Sequence, residues 1–237
     1  MEFDISVLNQ KNPYNIDINK FVEQIYGFIQ INHLYDSAIH EIETKLEIID
    51  SEFQSNFSRN PIHNISSRLK SPESIANKLI RKNIPITAES ILDNLHDIAG
   101  VRVVCHYIED IYQIASYLSM HDDIQILKQK DYIKNPKPSG YRSLHLIVTV
   151  PVFLSTGKKI VPVEIQIRTI AMDFWASIEH QLHYKTKCSV PDSLSSELKE
   201  LAEKIHSNDL QMEKIYHQIN ELDDEDEASH HAPGADK

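Results

Sequence analysis

Gly140-Tyr141-Arg142-Ser143-Leu144-His145 places three side chains with binding chemistry directly after a loop that carries Lys134 and Lys137. The Tyr141 ring offers a flat face on which a base can stack. Lysine, arginine and histidine supply hydrogen-bond donors suited to phosphates. Gly140 permits close approach of its backbone. A surface loop with an ordinary tyrosine has the same composition, so this segment alone leaves both readings open.

Three further sets have the same double character. Alternation along Val163–Arg168 puts Glu164, Gln166 and Arg168 on one strand face and Val163, Ile165 and Ile167 on the other. Such a face lines a site or is simply the exposed side of an antiparallel strand. Asp97 stands just before an apolar run in which Arg102 is embedded. A charge placed there needs a partner or a ligand, and a structural ion pair would satisfy it. Ser74, Lys78 and Arg81 share one helix face at spacing i, i+4, i+7, and Arg68 and Lys70 share one side of an extended segment. Together these could hold a triphosphate, although a solvated basic face looks alike. The sets are more informative jointly. Two acidic groups for Mg²⁺, cations for phosphates and a planar stacker for a base are what a nucleotide-transfer site requires.

The elements that must position these residues follow from periodicity. Leu34, Ala38, Ile42, Leu46, Ile49 and Phe53 recur at helical spacing, and a helix is predicted over about 18–57, stopped by Asn60-Pro61. Asn64–Lys70 reads as extended. Ser71-Pro72-Glu73 opens a helix, with Ser71 as N-cap and Pro72 in the first turn. A short helix is predicted over Thr87–Leu95. Ile98–Ile108, Ile124–Tyr132, Ser143–Val150 and Ile160–Arg168 read as strands, with Ser155-Thr156-Gly157 turning between the last two. Glu109–Met120, Thr169–Tyr184 and Ser193–Leu222 have helical spacing. Helices at both ends of a β-rich centre predict an α+β fold with a mixed or antiparallel sheet. The division expected is a helical extension over 1–60, a central domain over 61–190 and a C-terminal helix over 191–222. An acidic tail over 223–237 is expected to be disordered.

Composition narrows the partners. The 237 residues suffice for a sizeable core, and the formal net charge is −11. A chain this acidic is not expected to bind nucleic acid generally, because that requires clustered Lys and Arg. A local basic pocket in an acidic protein suits a small anionic ligand. No apolar run approaches the ~20 residues that span a bilayer. The start of the sequence has no signal-peptide pattern, and a cytoplasmic protein without a membrane partner is expected. The two cysteines, Cys105 and Cys188, form no CxxC pair, and no disulfide is expected.

The ordered motifs are similar to those of a known family. R-x-K-x-x-x-S-I-x-x-K-L from Arg68, HDIAGVRVVC from His96, KPSGYRSLHL from Lys137 and EIQIRTIAMDFWASIEH from Glu164 resemble the synthetase domain of the RelA/SpoT family. The chain resembles the small alarmone synthetases, nearer their RelP than their RelQ type, over about Ile31–Leu222. The resemblance implies a nucleotidyltransferase-like fold around a mixed sheet of about five strands. It also implies transfer of the β,γ-pyrophosphate of ATP to the 3′-hydroxyl of GDP or GTP. By motif, Asp97 and Glu164 correspond to the Mg²⁺ carboxylates, with Glu164 also the base. Arg68 and Arg102 correspond to the arginines about adenine. Lys70, Ser74, Lys78 and Arg81 correspond to the ATP-phosphate binders, and Tyr141 to the guanine stacker. Lys130, Lys137 and His145 correspond to groups near the acceptor's 5′-phosphates. Gln166 and Arg168 lie in the matching strand. Asp173 departs from relatives that carry Asn there. The resemblance further implies a homotetramer, for which the long terminal helices could supply contacts.

Two other classes compete. His96-Asp97 suggests an HD-type metal phosphohydrolase, but that site needs companion His and Asp ligands from helices. A non-catalytic nucleotide- or RNA-binding module would explain Tyr141 and the basic loop without requiring Asp97 and Glu164.

Overall fold

The 40-residue amphipathic segment at the start of the fold forms helix α1, Ile18–Phe57. Its buried stripe (Ile31, Tyr35, Ala38, Ile42, Leu46, Ile49 and Phe53) follows the predicted spacing. A computed structural model of the chain describes residues 18–185 and 191–230. Cys188 lies outside them. Past α1 the chain adopts a positive φ of 53° at Ser58 and enters β1, Ile62–Leu69.

Helix α2, Pro72–Arg81, starts as predicted. Ser71 caps it by accepting from the Ser74 N–H, Pro72 occupies the first turn, and Ile75 and Leu79 face the core. Helix α3, Ala88–Asn94, is capped in the same way by Thr87. Strand β2, Ala99–Cys105, is followed by α4, Ile108–Met120, and then by β3, Gln125–Asp131. Strands β4, Leu144–Leu154, and β5, Gly157–Thr169, form a hairpin. Helices α5, Ile170–Lys185, and α6, Asp192–His230, complete the chain.

The five strands form one sheet in the order β1-β2-β5-β4-β3. β2 and β5 pair in parallel and every other pair is antiparallel, which is the mixed α+β sheet expected. One face carries Val101, Val103, Leu144, Leu146, Val148, Val163, Ile165 and Ile167, all buried beneath α1 and α4. Because side chains alternate, the residues between them must stand on the opposite face.

Two boundaries differ from expectation. The β4–β5 hairpin runs past Val150 and Ile160, with pairing continuing to Leu154 opposite Gly157. Pro151 is tolerated there because β3 stops opposite Thr149 and leaves that part of β4 at an edge. Gly157, at φ +119°, makes the tight turn possible. Helix α6 also continues to His230, past the Leu222 boundary, so the acidic run from Asp223 begins as helix. Once a long helix is nucleated, each added residue gains a backbone hydrogen bond, and Glu and Ala are good helix formers. Residues 231–237 lie outside the described part. Among the described residues no helix is long and apolar enough to cross a membrane.

Candidate active site

The polar face of the sheet is arranged in rows. One row crosses all five strands through Ser66, Arg102, Gln166, His145 and Lys130. The neighbouring row runs through Arg68, Gly100 and Glu164. Strand register therefore brings together residues from four separate motifs. Above β1, β2 and β5 lies a cleft of about 520 Å³, lined by Arg68, Lys70, Ser74, Asp97, Arg102, Glu164 and Gln166 among others.

Asp97 is held at the entry to β2. Its Oδ2 accepts from Lys70 Nζ at 2.5 Å and from Lys78 Nζ at 2.6 Å. Burial alone would raise its pKa, but the hydrogen bonds and charges of the two lysines prevail and hold the carboxyl below the ordinary range. Its Oδ1 is buried without a protein partner. Lys78 reaches this carboxylate from α2, and Lys70 from the end of β1.

Glu164 lines the same cleft from β5. His145 Nδ1 lies 3.4 Å from Oε1, and Gln166 Nε2 donates to Oε2 at 3.2 Å. The hydrogen bond with His145 is the chief reason that its carboxyl is depressed, outweighing burial and the repulsion of Asp97. That repulsion also shows that the two carboxylates share one electrostatic neighbourhood. Both are ionised near neutral pH.

The acceptor-side motif connects to this centre by hydrogen bonds. Tyr141 Oη lies 2.9 Å from His145 Nε2 and accepts from Arg168 Nη2 at 3.0 Å. Arg168 Nη2 also donates to Gln166 Oε1 at 2.8 Å, and its Nη1 meets Asp173 Oδ1 at 3.3 Å. Arg168 is 3% exposed, and burial lowers its pKa. Its place is beneath the site, where it orients neighbouring groups. Asp173 takes a second cation, Arg102 Nη1, at 3.5 Å. Lys137 Nζ sits 4.5 Å from the centre of the Tyr141 ring.

Several sequence readings need amendment. Arg142 is no phosphate donor: it is 9% exposed and spans from the Ile133 carbonyl to Glu203, each at 2.7 Å. Gly140 does admit a close neighbour, but that neighbour is Ala202 of α6. Arg81 is exposed and outside the cleft lining, its Nε donating to the Asn77 carbonyl at 3.4 Å. Lys130, Lys137, Tyr141 and His145 lie beside the cleft and do not line it.

Tyr132 escaped the sequence reading. Its ring is 5.2 Å from His145 and 6.2 Å from Tyr141, with Lys137 Nζ at 4.9 Å and Lys130 Nζ at 6.0 Å. An aromatic residue interleaved with lysines was the available signal. His96 is exposed and does not line the cleft. Among the described residues no group of three His, Cys, Asp or Glu side chains could hold a metal. The metal-phosphohydrolase reading therefore has no ligand set there.

A mixed sheet with two carboxylates on one cleft, lysines beside them and an adjoining aromatic cluster suits a protein that handles nucleotides. Residues 67–189 match the model of the region found in RelA / SpoT proteins. The chain is 50% identical over 179 residues to the GTP pyrophosphokinase YwaC of Bacillus subtilis, covering 76% of this chain and 85% of that protein. The crystal structure of small alarmone synthetase 2 from Bacillus subtilis superposes with a TM-score of 0.71 at 48% identity, covering 78% of this chain and 95% of that one. That of small alarmone synthetase 1 from the same organism, bound to its product pppGpp, gives 0.71 at 37% identity, covering 78% and 94%. The chain belongs to the RelA/SpoT synthetase family.

Proposed function

We propose that the chain is a (p)ppGpp synthetase, a GTP diphosphokinase that moves the β,γ-pyrophosphate of ATP to the 3′-hydroxyl of GDP or GTP. The observation that carries this reading is the convergence of Asp97, Glu164 and Lys70 on one cleft, with Lys78 bonded to Asp97 from behind its lining. The 3′-oxygen attacks the β-phosphorus, the bond from that phosphorus to the α–β bridging oxygen breaks, and AMP leaves with the electron pair. A ribose hydroxyl is a poor nucleophile at neutral pH, so its proton must be accepted as attack proceeds. Glu164 is the base: it is ionised, and it faces the cleft from a rigid central strand.

Asp97 and Glu164 fit a Mg²⁺ ion. Mg²⁺ in phosphoryl-transfer sites takes one or two carboxylates and fills its other positions from phosphates and water, and the buried Asp97 Oδ1 has no protein partner. When bound, the ion would offset the charge of the donor phosphates. Lys70 and Lys78, now spent on Asp97, are placed to turn toward the donor phosphates, with Ser74 beside them. Arg68 and Arg102 line the cleft wall as adenine contacts. Tyr141 stacks the acceptor base, while Lys130, Lys137 and His145 surround its 5′-phosphates. Arg81 contributes long-range charge at most.

Incubation with ATP, GDP and Mg²⁺, followed by nucleotide chromatography, tests the reading. AMP and ppGpp should appear in equal amounts. Production of ADP and inorganic phosphate alone would refute it.

We infer that the chain acts in the cytoplasm and assembles into a homotetramer, as its resemblance to the small alarmone synthetases implies, with the terminal helices offering contact surfaces. Ile25, Tyr26 and Ile29 on α1, and Met212, Ile219 and Leu222 on α6, are exposed apolar residues. Light scattering in solution reads the mass directly.

A further inference from the structure

The acceptor-side loop is held from an unexpected direction. Residues 132–143 close on themselves through backbone hydrogen bonds, from Tyr132 N to Ser143 O, Lys137 N to Tyr141 O and Gly140 N to Lys137 O. Arg142 ties the loop internally to the Ile133 carbonyl and externally to Glu203 on α6. The side chain of Arg142 is 9% exposed and that of Glu203 52% exposed, so the buried cation leans on a partner at the surface. Gly140, at φ +91°, packs so tightly on α6 that a Cβ there would lie 2.6 Å from the Ala202 Cβ. Trp175 Nε1 donates to the Leu198 carbonyl at 3.2 Å and holds α6 against α5. Trp175, Ala202 and Tyr141 form one small apolar cluster.

We propose that helix α6 is a positioning element for the acceptor nucleotide, with Glu203 acting through Arg142 to place the loop that bears Lys137 and Tyr141. This inference rests on the reading that Tyr141 stacks the acceptor base. Glu203 touches no substrate. Its carboxylate fixes the guanidinium that holds the Ile133 carbonyl, and the loop moves as a unit because its own backbone bonds close it. Among the described residues α6 packs chiefly against α5 and α4, whereas the donor half of the cleft is built on β1, α2 and β2. Acceptor and donor affinities are therefore separable by substitution on this helix.

The test uses the full chain with Glu203→Gln and Ala202→Leu. Kinetics are measured with GDP and ATP varied in turn, alongside hydrogen exchange of residues 133–142. A charge-assisted hydrogen bond to a buried partner is worth roughly tenfold in an equilibrium. The GDP KM should rise roughly tenfold in both variants. The ATP KM should stay within twofold, and exchange should quicken in the loop before it does in β2 or β5. Glu203→Asp should recover part of the loss. Equal rises in both KM values, or an unchanged GDP KM with unchanged loop exchange, would overturn the inference. If the unaltered chain makes no ppGpp, the proposed function fails. Loop exchange in Glu203→Gln then decides the positioning role alone, faster exchange confined to 133–142 supporting it and unchanged exchange refuting it.

Discussion

His145 Nδ1 lies 3.4 Å from Glu164 Oε1, while the other nitrogen of the same ring lies 2.9 Å from the Tyr141 hydroxyl. One imidazole thus joins the proposed base to the proposed base-stacking residue. Its place is set by β-sheet register, which sets His145 opposite Gln166 and two residue pairs from Glu164, on the same face of the sheet. Whatever moves His145 affects both the ionisation of Glu164 and the position of Tyr141.

Glu164→Gln removes the proton acceptor while keeping the side-chain volume. Positioned bases contribute roughly 10²- to 10⁴-fold. Synthesis should fall by about that factor, measured as AMP and ppGpp release. Equilibrium binding of a labelled, non-hydrolysable ATP analogue should change far less, because the cations of the cleft remain. A variant with near-normal turnover would remove Glu164 from the mechanism.

The depressed Glu164 carboxyl fixes the sign of the acid limb of activity. A base with a lowered pKa stays ionised as pH falls through the ordinary glutamate range and is lost only below it. The acid limb of kcat/KM should therefore lie below that range. His145→Ala removes the leading cause of the shift and should move the limb upward. An unmoved limb in that variant would show that His145 does not tune the base.

Lys78→Ala should raise the ATP KM by roughly tenfold, as loss of a charge-assisted contact does. Arg81→Ala should have a much smaller effect, since Arg81 is exposed and donates to the Asn77 carbonyl of its own helix, whereas Lys78 is bonded to Asp97 in the cleft. Steady-state kinetics on the two variants side by side decides this. Equal effects would mean that α2 shifts to bring Arg81 onto the donor when ATP binds.

Asp209 on α6 is 7% exposed and accepts from the Thr169 hydroxyl at 2.6 Å. Burial pushes its carboxyl up to about 6, with the charge of Glu213 adding to the rise and the Thr169 hydrogen bond opposing it. The folded pKa exceeds the ordinary aspartate value. The folded state therefore loses stability as pH rises from about 4 to about 6 and carries the full penalty above that. Asp209→Asn keeps an acceptor for Thr169 without the charge. It should raise stability at pH 8 by up to about 3 kcal/mol and have little effect at pH 4. Thermal unfolding at the two pH values measures the difference.

Gly140→Ala meets two obstacles at once, a φ of +91° and the Ala202 Cβ at 2.6 Å. A cost of about 1–3 kcal/mol is expected in thermal unfolding. A silent substitution would mean that α6 yields easily at this point.

Local sequence determined the elements and the identity of the chemical groups. Ser71 with Pro72, the stripe from Ile31 to Phe53 and the alternation in Val163–Arg168 act through neighbours in the chain, and each produced the element predicted. The ordered motifs were sufficient for the family. Tertiary structure alone decided which of these groups meet. The row from Ser66 through Arg102, Gln166 and His145 to Lys130 depends on strand order and register, which are set by burying the opposite face under α1 and α4. Arg142 looked like a phosphate ligand in its motif, yet it serves a carboxylate on α6 that lies far along the chain. Arg81 shares a helix face with Lys78 but does not reach the cleft. Periodicity shows which side of an element a residue occupies, and only packing between distant segments shows what stands opposite.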